Sequence, residues 1–268
     1  MYDKTDFSQE HINYIKSHKS FKRAVSFTRI IIFITIFFVW EIAANLQWID
    51  PFIMSQPSRM LKTVITLSKD GSLFLHTGVT LYETIVGFVL GTVLGTIIAI
   101  ILWWSNFLAK VLDPYLVVLN ALPKTALGPV ILVWIGGTTK SIIVMALLVS
   151  IIVTIISVYS GFSNCDEDKI KLLKTFGANK RQILKLVVLP SNIPAIISAL
   201  KINVGLSLVG VIVGEFLVSK EGLGFLIIYG GQVFKMDMVM MSVIILAIAA
   251  ALLYLSVLWI EKKVTKMM

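Results

Sequence analysis

The chain has 268 residues, of which 57% are hydrophobic and 15% are charged, and its mean hydropathy is +0.90. Water-soluble proteins average about half apolar and a quarter charged residues, so this composition excludes an ordinary soluble domain. The net charge of +9 does not indicate nucleic-acid binding. Its Lys and Arg residues lie between apolar blocks and do not gather on one exposed face. We predict one polytopic helical membrane domain.

Six apolar runs are long enough to cross a bilayer, whose hydrocarbon core of about 30 Å takes ~20 helical residues. The predicted spans are residues 29–48, 73–104, 116–135, 141–162, 193–218 and 236–260. The first run is longer than the apolar core of a signal peptide, and no small-residue cleavage site follows it, so we expect it to be retained. The predicted fold class is an all-α membrane protein with six transmembrane helices.

The distribution of basic residues predicts the orientation of these spans. An even number of spans places both termini on one side of the membrane. If that side is the cytoplasm, most of the 24 Lys and Arg residues lie in cytoplasmic segments, as the positive-inside rule requires. We therefore predict that both termini are cytoplasmic.

The N-terminal segment, residues 1–29, is the one candidate for a separate region, and residues 30–268 are predicted to form the six-span domain. Acidic residues open the segment, and Lys16, Lys19, Lys22 and Arg23 follow before the first apolar run. The segment is either an amphipathic helix on the membrane surface or a partly ordered tail that sets the topology.

Small residues recur every four positions in the second run and line one face of the predicted helix. They are Gly87, Gly91, Gly95 and Ala99, and Gly210 and Gly214 repeat the spacing in the fifth run. Such stripes let membrane helices approach closely. The contact predicted from them lies either inside one subunit or between two subunits.

The third run is interrupted by Pro114, Pro123 and Pro129, so we predict that it is not one uniform helix. Irregular backbone at membrane depth is tolerated only where protein buries it or water reaches it. This makes part of the run a candidate for the translocation pathway: Leu122, Pro123, Lys124, Gly128 and Pro129. Alternatively, the broken helix is the ion site of an ion-coupled secondary transporter or a simple kink. Lys124 could contact an anion or extend to the interface as a span-end cation.

Few ionisable residues lie inside the predicted spans. They are Glu41, Glu83, Lys124, Lys201 and Glu215. Most of them fall near span ends, which favours interfacial or structural roles over a proton relay, because charge at the bilayer centre is costly.

Residues 163–190, here called the 163–190 loop, form the longest internal connection on the predicted cytoplasmic side. Asp166, Glu167 and Asp168 precede Lys169, Lys171 and Lys174, an order of charge that suits a helix dipole, and Ile170, Leu173 and Phe176 form an apolar stripe. Gly177 suits the left-handed residue after a helix. Asn179 and Gln182 have the spacing of a capping box for a second helix, which we expect Pro190 to end. The loop either docks on a partner or packs only on its own bundle.

The sequence from Lys174 to Pro190 resembles the cytoplasmic signature of the permeases of ABC importers. In that signature Gly-Ala is followed at a fixed spacing by an aliphatic residue and Leu-Pro, and Gly177, Ala178, Val187, Leu189 and Pro190 occupy these positions. Lys171, Leu172 and Leu173 replace the Glu-Ala-Ala that opens the family pattern. The resemblance implies that these eight residues couple the chain to an ATPase.

Other stretches resemble the branch of that family that carries nitrate, sulfonates and taurine. They include Trp40-Glu41, Gln56-Pro57-Ser58, Gly128-Pro129, Gly214-Glu215-Phe216 and Glu221-Gly222-Leu223-Gly224. The resemblance implies a permease of the bacterial cytoplasmic membrane that imports a small solute. It also implies the partners: a second permease copy, expected to form a homodimer, two ABC ATPase subunits, an extracellular or periplasmic solute-binding protein and membrane lipid.

Enzyme motifs are absent from the sequence. Gly136 to Ser141 superficially resembles a phosphate-binding loop, but no glycine directly precedes Lys140. Cys165 is the single cysteine, and the histidines are too scattered for a metal cluster. We therefore expect no catalysis, metal or cofactor in this chain, with ATP and Mg²⁺ on the partner ATPase.

Overall fold

The computed structural model describes the backbone of residues 9–267 and the side chains of residues 13–264. Residues 9–267 are mostly helical and contain no β-strand, which confirms the predicted all-α class. The helices are α1 (Gln9–Asn45), α2 (Pro51–Met54), α3 (Pro57–Lys69), α4 (Ser72–Trp104), α5 (Asn106–Ala121), α6 (Gly128–Ile135), α7 (Thr139–Ser163), α8 (Glu167–Thr175), α9 (Lys180–Ile183), α10 (Leu189–Ser191), α11 (Ile193–Val218), α12 (Leu223–Gln232) and α13 (Met236–Met267). A 3₁₀ turn (Lys124–Leu127) precedes α6, and a π-helical turn (Leu184–Val188) joins α9 to α10.

Five helices of the described chain are long and apolar enough to cross a membrane, namely α1, α4, α7, α11 and α13. The sixth predicted span corresponds to α5 together with the segment Lys124–Ile135, and these two parts are bent by 86°. The predicted number of spans is therefore reached when the bent pair is counted as one, and the prediction of a broken third span is confirmed.

The break in that span lies at one of its three prolines. Leu122 is extended (φ −62°, ψ 132°) because the ring of Pro123 disfavours a helical conformation in the residue before it. Pro114 lies inside α5 without ending it, and Pro129 lies in the first turn of α6, where a missing N–H is tolerated. The position of each proline in its helix therefore decides whether the helix is interrupted.

The chain divides after Thr63 into two units. In the first, α1 continues without a break from Gln9 to Asn45, so the predicted boundary at residue 29 falls inside one helix; residues 1–8 of the predicted N-terminal segment lie outside the described residues. The carboxylate of Glu41 accepts a 3.0 Å hydrogen bond from the backbone N–H of Ser58. This bond ties the end of α1 to the start of α3.

In the second unit, α7 lies between α4 and α11, and glycines bring the three helices close together. A Cβ atom added at Gly95 would lie 2.6 Å from the Cβ of Thr154, and one added at Gly210 would lie 2.6 Å from the Cα of Ala146. The remaining residues of the stripes also face α7: Gly87 faces Ala146, Gly91 faces Ser150, Gly214 faces Ile142, and Ala99 is buried in one core cluster with Val158 and Phe162. The predicted stripes therefore pack against α7 of the same chain.

Candidate functional site

Helix α8 begins the 163–190 loop with charges that suit its dipole. The side chain of Asp166 caps the helix by accepting a 3.0 Å hydrogen bond from the N–H of Asp168. Lys171 lies 3.3 Å from the carboxylate of Glu167 and 3.5 Å from that of Asp168. Because these side chains are exposed, each ion pair contributes no more than about 1 kcal/mol. These ion pairs orient the charged side chains on the surface of α8 but contribute little to the stability of the loop.

The turn after α8 has the hydrogen bonds of a Schellman motif. The N–H of Ala178 donates to the carbonyl of Leu173 at 3.0 Å, and the N–H of Gly177 donates to that of Lys174 at 2.9 Å. Gly177 adopts φ +79°, a left-handed conformation that strains residues with a side chain. The geometry of this turn therefore requires the predicted glycine.

The second helix of the loop begins with a reciprocal cap and continues further than predicted. Asn179 accepts from the N–H of Gln182 at 3.0 Å, and Gln182 accepts from the N–H of Asn179 at 2.8 Å. The expectation that Pro190 ends this helix is wrong, because helical structure continues to Ser191. The π-helical turn pairs the N–H of Leu189 with the carbonyl of Leu184, which places Pro190 in the first turn of α10, where proline is tolerated.

One face of the loop packs on the bundle. Ile183 is 4% exposed and Val188 is fully buried, in a cluster with Phe162 of α7 and Ala199 of α11. Further loop residues pack against the same cluster: Ile170, Leu173, Ala178, Leu184, Val187 and Leu189. Of the predicted coupling residues, the structure thus places Leu173, Ala178, Val187 and Leu189 on the inner face.

The opposite face of the loop presents apolar side chains that are largely exposed in the described chain. Leu172 is 57% exposed and Phe176 is 78% exposed, one helical turn apart. Phe176 was predicted on the same stripe as Ile170 and Leu173, and this is wrong because it follows the last residue of α8 and turns away from the core. The exposed face therefore consists of Lys171, Leu172 and Phe176.

Lys180 attaches the loop to the end of α4. Its ammonium group donates a 2.7 Å hydrogen bond to the carbonyl of Trp104, one of the groups that the helix end leaves unpaired. The same ammonium lies 5.5 Å and 5.7 Å from the ring centres of Trp103 and Trp104. Cation–π attraction therefore adds to the hydrogen bond. A displacement of the loop would pull on the end of α4.

The predicted pathway residues lie around the break between α5 and α6. Leu122 is 40% exposed, and Lys124 donates a 2.9 Å hydrogen bond to the carbonyl of Asn120 at the end of α5. Gly128 is buried, and a Cβ atom there would lie 2.5 Å from Leu217 of α11. Pro123 and Pro129 are exposed beside it. The 3₁₀ turn is thus fixed on α11 at one end and open at the other.

Polar residues that the sequence did not predict to meet form a cluster where α4 begins and α11 ends. We call Thr80, Glu83, Glu215 and residues 222–224 the carboxyl cluster. The carboxylate of Glu215 accepts a 2.6 Å hydrogen bond from the hydroxyl of Thr80 and a 2.5 Å bond from the N–H of Gly224. The hydroxyl of Thr80 accepts from the N–H of Leu223 at 2.8 Å. Glu83 and Glu215 are 0% and 1% exposed, so of the interfacial and structural roles that the sequence left open, their burial favours the structural one.

Two glycines make room for the Glu215 carboxylate. Gly222 adopts φ +106°, and a Cβ atom there would collide with the carboxylate carbon and oxygens. A Cβ at Gly224 would lie 2.7 Å from one of the same oxygens. The pattern Glu221-Gly222-Leu223-Gly224 was visible in the sequence. The contact of this segment with Thr80 on α4 was not visible in the sequence, because no local pattern links residues so far apart.

Comparison with known proteins assigns the chain to a family. Residues 91–267 match the family model described as binding-protein-dependent transport system inner membrane component. The chain belongs to this family. Its members are permease subunits of ABC importers, which operate with ATPases and binding proteins.

Named relatives cover most of the chain. A probable ABC transporter permease protein of Haemophilus influenzae is 32% identical over 222 residues, which are 83% of this chain and 90% of the relative. The taurine transport system permease protein TauC of Escherichia coli is 26% identical, over 85% of this chain and 84% of TauC. The formylaminopyrimidine transport permease protein ThiX of Halalkalibacterium halodurans is 28% identical, over 72% and 76%.

A solved structure supports the same fold. The inward-facing MetNI methionine ABC transporter matches with a TM-score of 0.63 at 19% identity, over 70% of this chain and 94% of that chain. Together with the family, the fold makes this chain a multi-pass permease subunit of an ATP-driven importer. It is not an enzyme, because ATP hydrolysis belongs to a separate partner. The alternative of an ion-coupled secondary transporter is not favoured.

Proposed function

We propose that this permease imports a small solute through a pathway formed by two copies of the chain. Two ATPase subunits bind the 163–190 loops, and a solute-binding protein delivers the solute from outside. ATP and Mg²⁺ are bound by the ATPases, and this chain carries no cofactor. Nucleotide-driven movement of the ATPases shifts the permease between outward-open and inward-open states by rigid-body rearrangement of packed helices.

The exposed face of the 163–190 loop is the observation that carries this proposal. Apolar side chains outside lipid are expected to bury against a partner, and Leu172 and Phe176 are exposed while the opposite face of their loop is packed. Gly177, Pro190 and the inward residues shape and anchor the loop, whereas Lys171, Leu172 and Phe176 contact the ATPase. The anchoring transmits the partner's movement to α4, α7 and α11.

Orientation follows from the same assignment. An ATPase acts in the cytoplasm, so the 163–190 loop lies there, together with both termini. Basic residues support this, since the loop and the segments near both termini carry many Lys residues. The carboxyl cluster then lies toward the outer side, because α4 begins and α11 ends there.

The solute that we propose is a sulfonate, taurine, nitrate or a related small compound. Support comes from relatives named for taurine, aliphatic sulfonates and formylaminopyrimidine. The pathway runs beside Leu122, Pro123, Lys124, Gly128 and Pro129, where the helix is broken. Lys124 supplies a positive charge there, although its ammonium is held by the carbonyl of Asn120.

Uptake by reconstituted vesicles tests the proposal. The permease, its ATPase and its binding protein are reconstituted together, and labelled taurine and an alkanesulfonate are supplied outside. We expect accumulation that requires ATP inside and persists when an uncoupler abolishes ion gradients. Accumulation driven by an ion gradient without ATP would contradict the proposal. ATP-dependent uptake of a different solute in a wider panel would overturn only the substrate.

A further inference from the structure

Glu83 is a buried acid that the proposed function leaves unused. It lies on α4 less than one turn from Thr80, is fully buried and neighbours Glu215. Within the described residues, no group donates a hydrogen bond of ordinary length to either of its carboxylate oxygens. A buried, ionised carboxylate without a donor loses the stabilisation of water and gains nothing in return. A second carboxylate beside it adds repulsion.

The hydrogen bonds of Glu215 distinguish the two acids. One oxygen of Glu215 accepts from the hydroxyl of Thr80 and the other from the N–H of Gly224. In this arrangement the hydroxyl of Thr80 donates its one hydrogen to Glu215 and accepts from the N–H of Leu223. Glu215 therefore has the pattern of an ionised carboxylate, which only accepts. Glu83 has no comparable donors, and a proton on one of its oxygens would make it a donor to Glu215.

The other titratable and charged groups around these acids do not supply the missing positive charge. On α4, the Nδ1 of His76 accepts a 2.9 Å hydrogen bond from the N–H of Gly222, so the ring is neutral with its proton on Nε2. Before α12, Glu221 adds a further negative charge near Glu83. On α7, the neighbour is Thr139, whose hydroxyl lies near Glu83 but outside ordinary hydrogen-bond length and carries no charge. Lys220 lines an adjacent cavity of about 370 Å³ with Thr139 and Glu221, but it is an exposed residue and makes no bond to either buried acid.

We propose that Glu83 and Glu215 form a proton-binding site, in which one proton taken from water stays on Glu83 and is donated to Glu215. The shared proton holds α4, α11 and the 222–224 turn together at one end of the bundle. Its loss leaves two negative charges in the buried cluster, and their repulsion loosens the contact between α4 and that turn. This inference does not depend on the solute, the ATPase or the binding protein.

Infrared difference spectroscopy of the purified full chain in lipid nanodiscs tests the protonation directly. Near neutral pH we expect a carbonyl band of a protonated carboxylic acid that shifts in heavy water and is lost in Glu83→Gln. Glu261→Gln is the matched control, because Glu261 forms an ion pair with Lys201 and its substitution leaves Glu83 in place, so the band remains. A band that persists in Glu83→Gln, or its absence from the unsubstituted chain, would overturn the proposal.

Thermal unfolding across pH provides a second measurement, whose first readout uses the unsubstituted chain. A carboxyl that keeps its proton in the folded state but loses it in the unfolded state makes the fold less stable as pH rises. We expect the unfolding temperature of the unsubstituted chain to fall from neutral to mildly alkaline pH. In Glu83→Gln, whose amide donates at every pH, this fall should disappear, whereas His76→Gln should retain it. A flat profile, or stability set by sodium concentration instead of pH, would contradict a proton site.

Discussion

The 163–190 loop and the carboxyl cluster belong to the same unit. The loop is held together by contacts between residues close in the sequence, and the cluster by contacts between distant residues. Caps and turns of the loop join neighbours along the chain, as between Asn179 and Gln182, and its outer face exposes Phe176. The hydrogen bonds of the carboxyl cluster join Thr80 to Glu215 and Leu223, which lie 135 and 143 residues further along the chain. The cluster excludes water. A locally closed loop can move as one piece, whereas a buried polar network is kept or lost as a whole. One region is thus suited to receive movement and the other to hold helices together.

The largest effect is expected at Gly222, where the cluster tolerates no side chain. Gly222→Val combines a strained backbone with a collision against the Glu215 carboxylate, so we expect a loss of about 4 kcal/mol in the free energy of unfolding. The unfolding temperature of the purified chain measures it. Gly231→Ala is the control, since nothing lies within 4 Å of a Cβ there. Equal falls in unfolding temperature for Gly222→Val and Gly231→Ala would contradict the claim that the carboxyl cluster leaves no room for a side chain at residue 222.

A smaller loss is expected where α4 and α7 touch. Gly95→Val should force the helices apart at Thr154 and cost about 2 kcal/mol. Gly78→Val on the same helix should cost much less, because a Cβ atom at Gly78 meets nothing within 4 Å. Unfolding temperatures of the two variants provide the comparison. A larger loss at Gly78 would contradict the assignment of the stripe to contacts within the chain.

In the 163–190 loop, the expected effect is on coupling more than on stability. Gly177→Val should strain the left-handed turn by about 1–2 kcal/mol and lower solute-stimulated ATP hydrolysis in the reconstituted complex. Gly177→Asn is the matched control, since asparagine tolerates this conformation better. Both variants should still fold, with a smaller fall in unfolding temperature for Gly177→Asn than for Gly177→Val. Unchanged stimulated hydrolysis in Gly177→Val would argue against the loop as the coupling element.

The smallest effect is expected for the ion pair between α11 and α13. Lys201 and Glu261 lie 2.7 Å apart and are partly exposed, so their coupling should be about 1 kcal/mol or less. A double-mutant cycle with Lys201→Met and Glu261→Gln measures it through unfolding temperatures. A coupling energy of several kcal/mol would show that this pair, and not the carboxyl cluster, dominates the polar contacts between spans.

The difference between local contacts in the 163–190 loop and long-range contacts in the carboxyl cluster explains what could be predicted from the sequence. The turn at Gly177, the cap at Asn179 and the break at Pro123 depend on residues a few positions away, and their patterns are visible in the chain. The burial of Glu83 and Glu215 depends on how α4 and α11 meet, so their positions near span ends could not decide between an interfacial and a structural role. Phe176 was misplaced because it is the C-cap residue of α8 and lies on the exposed side with Leu172, away from Ile170 and Leu173. Pro190 was misjudged because the π-helical turn before it has no simple sequence signal.

Site-specific crosslinking tests the central claim most directly. Cys165 is the single cysteine and is buried, so Cys165→Ala gives a background for Phe176→Cys, with Lys262→Cys on α13 as an exposed control. With a short reagent that joins a thiol to an amine and the complete transporter, we predict that Phe176→Cys crosslinks to the ATPase, that nucleotide changes the yield, and that Lys262→Cys gives little product. Crosslinks from Phe176→Cys only to the permease itself, with an ATPase present and active, would contradict the account.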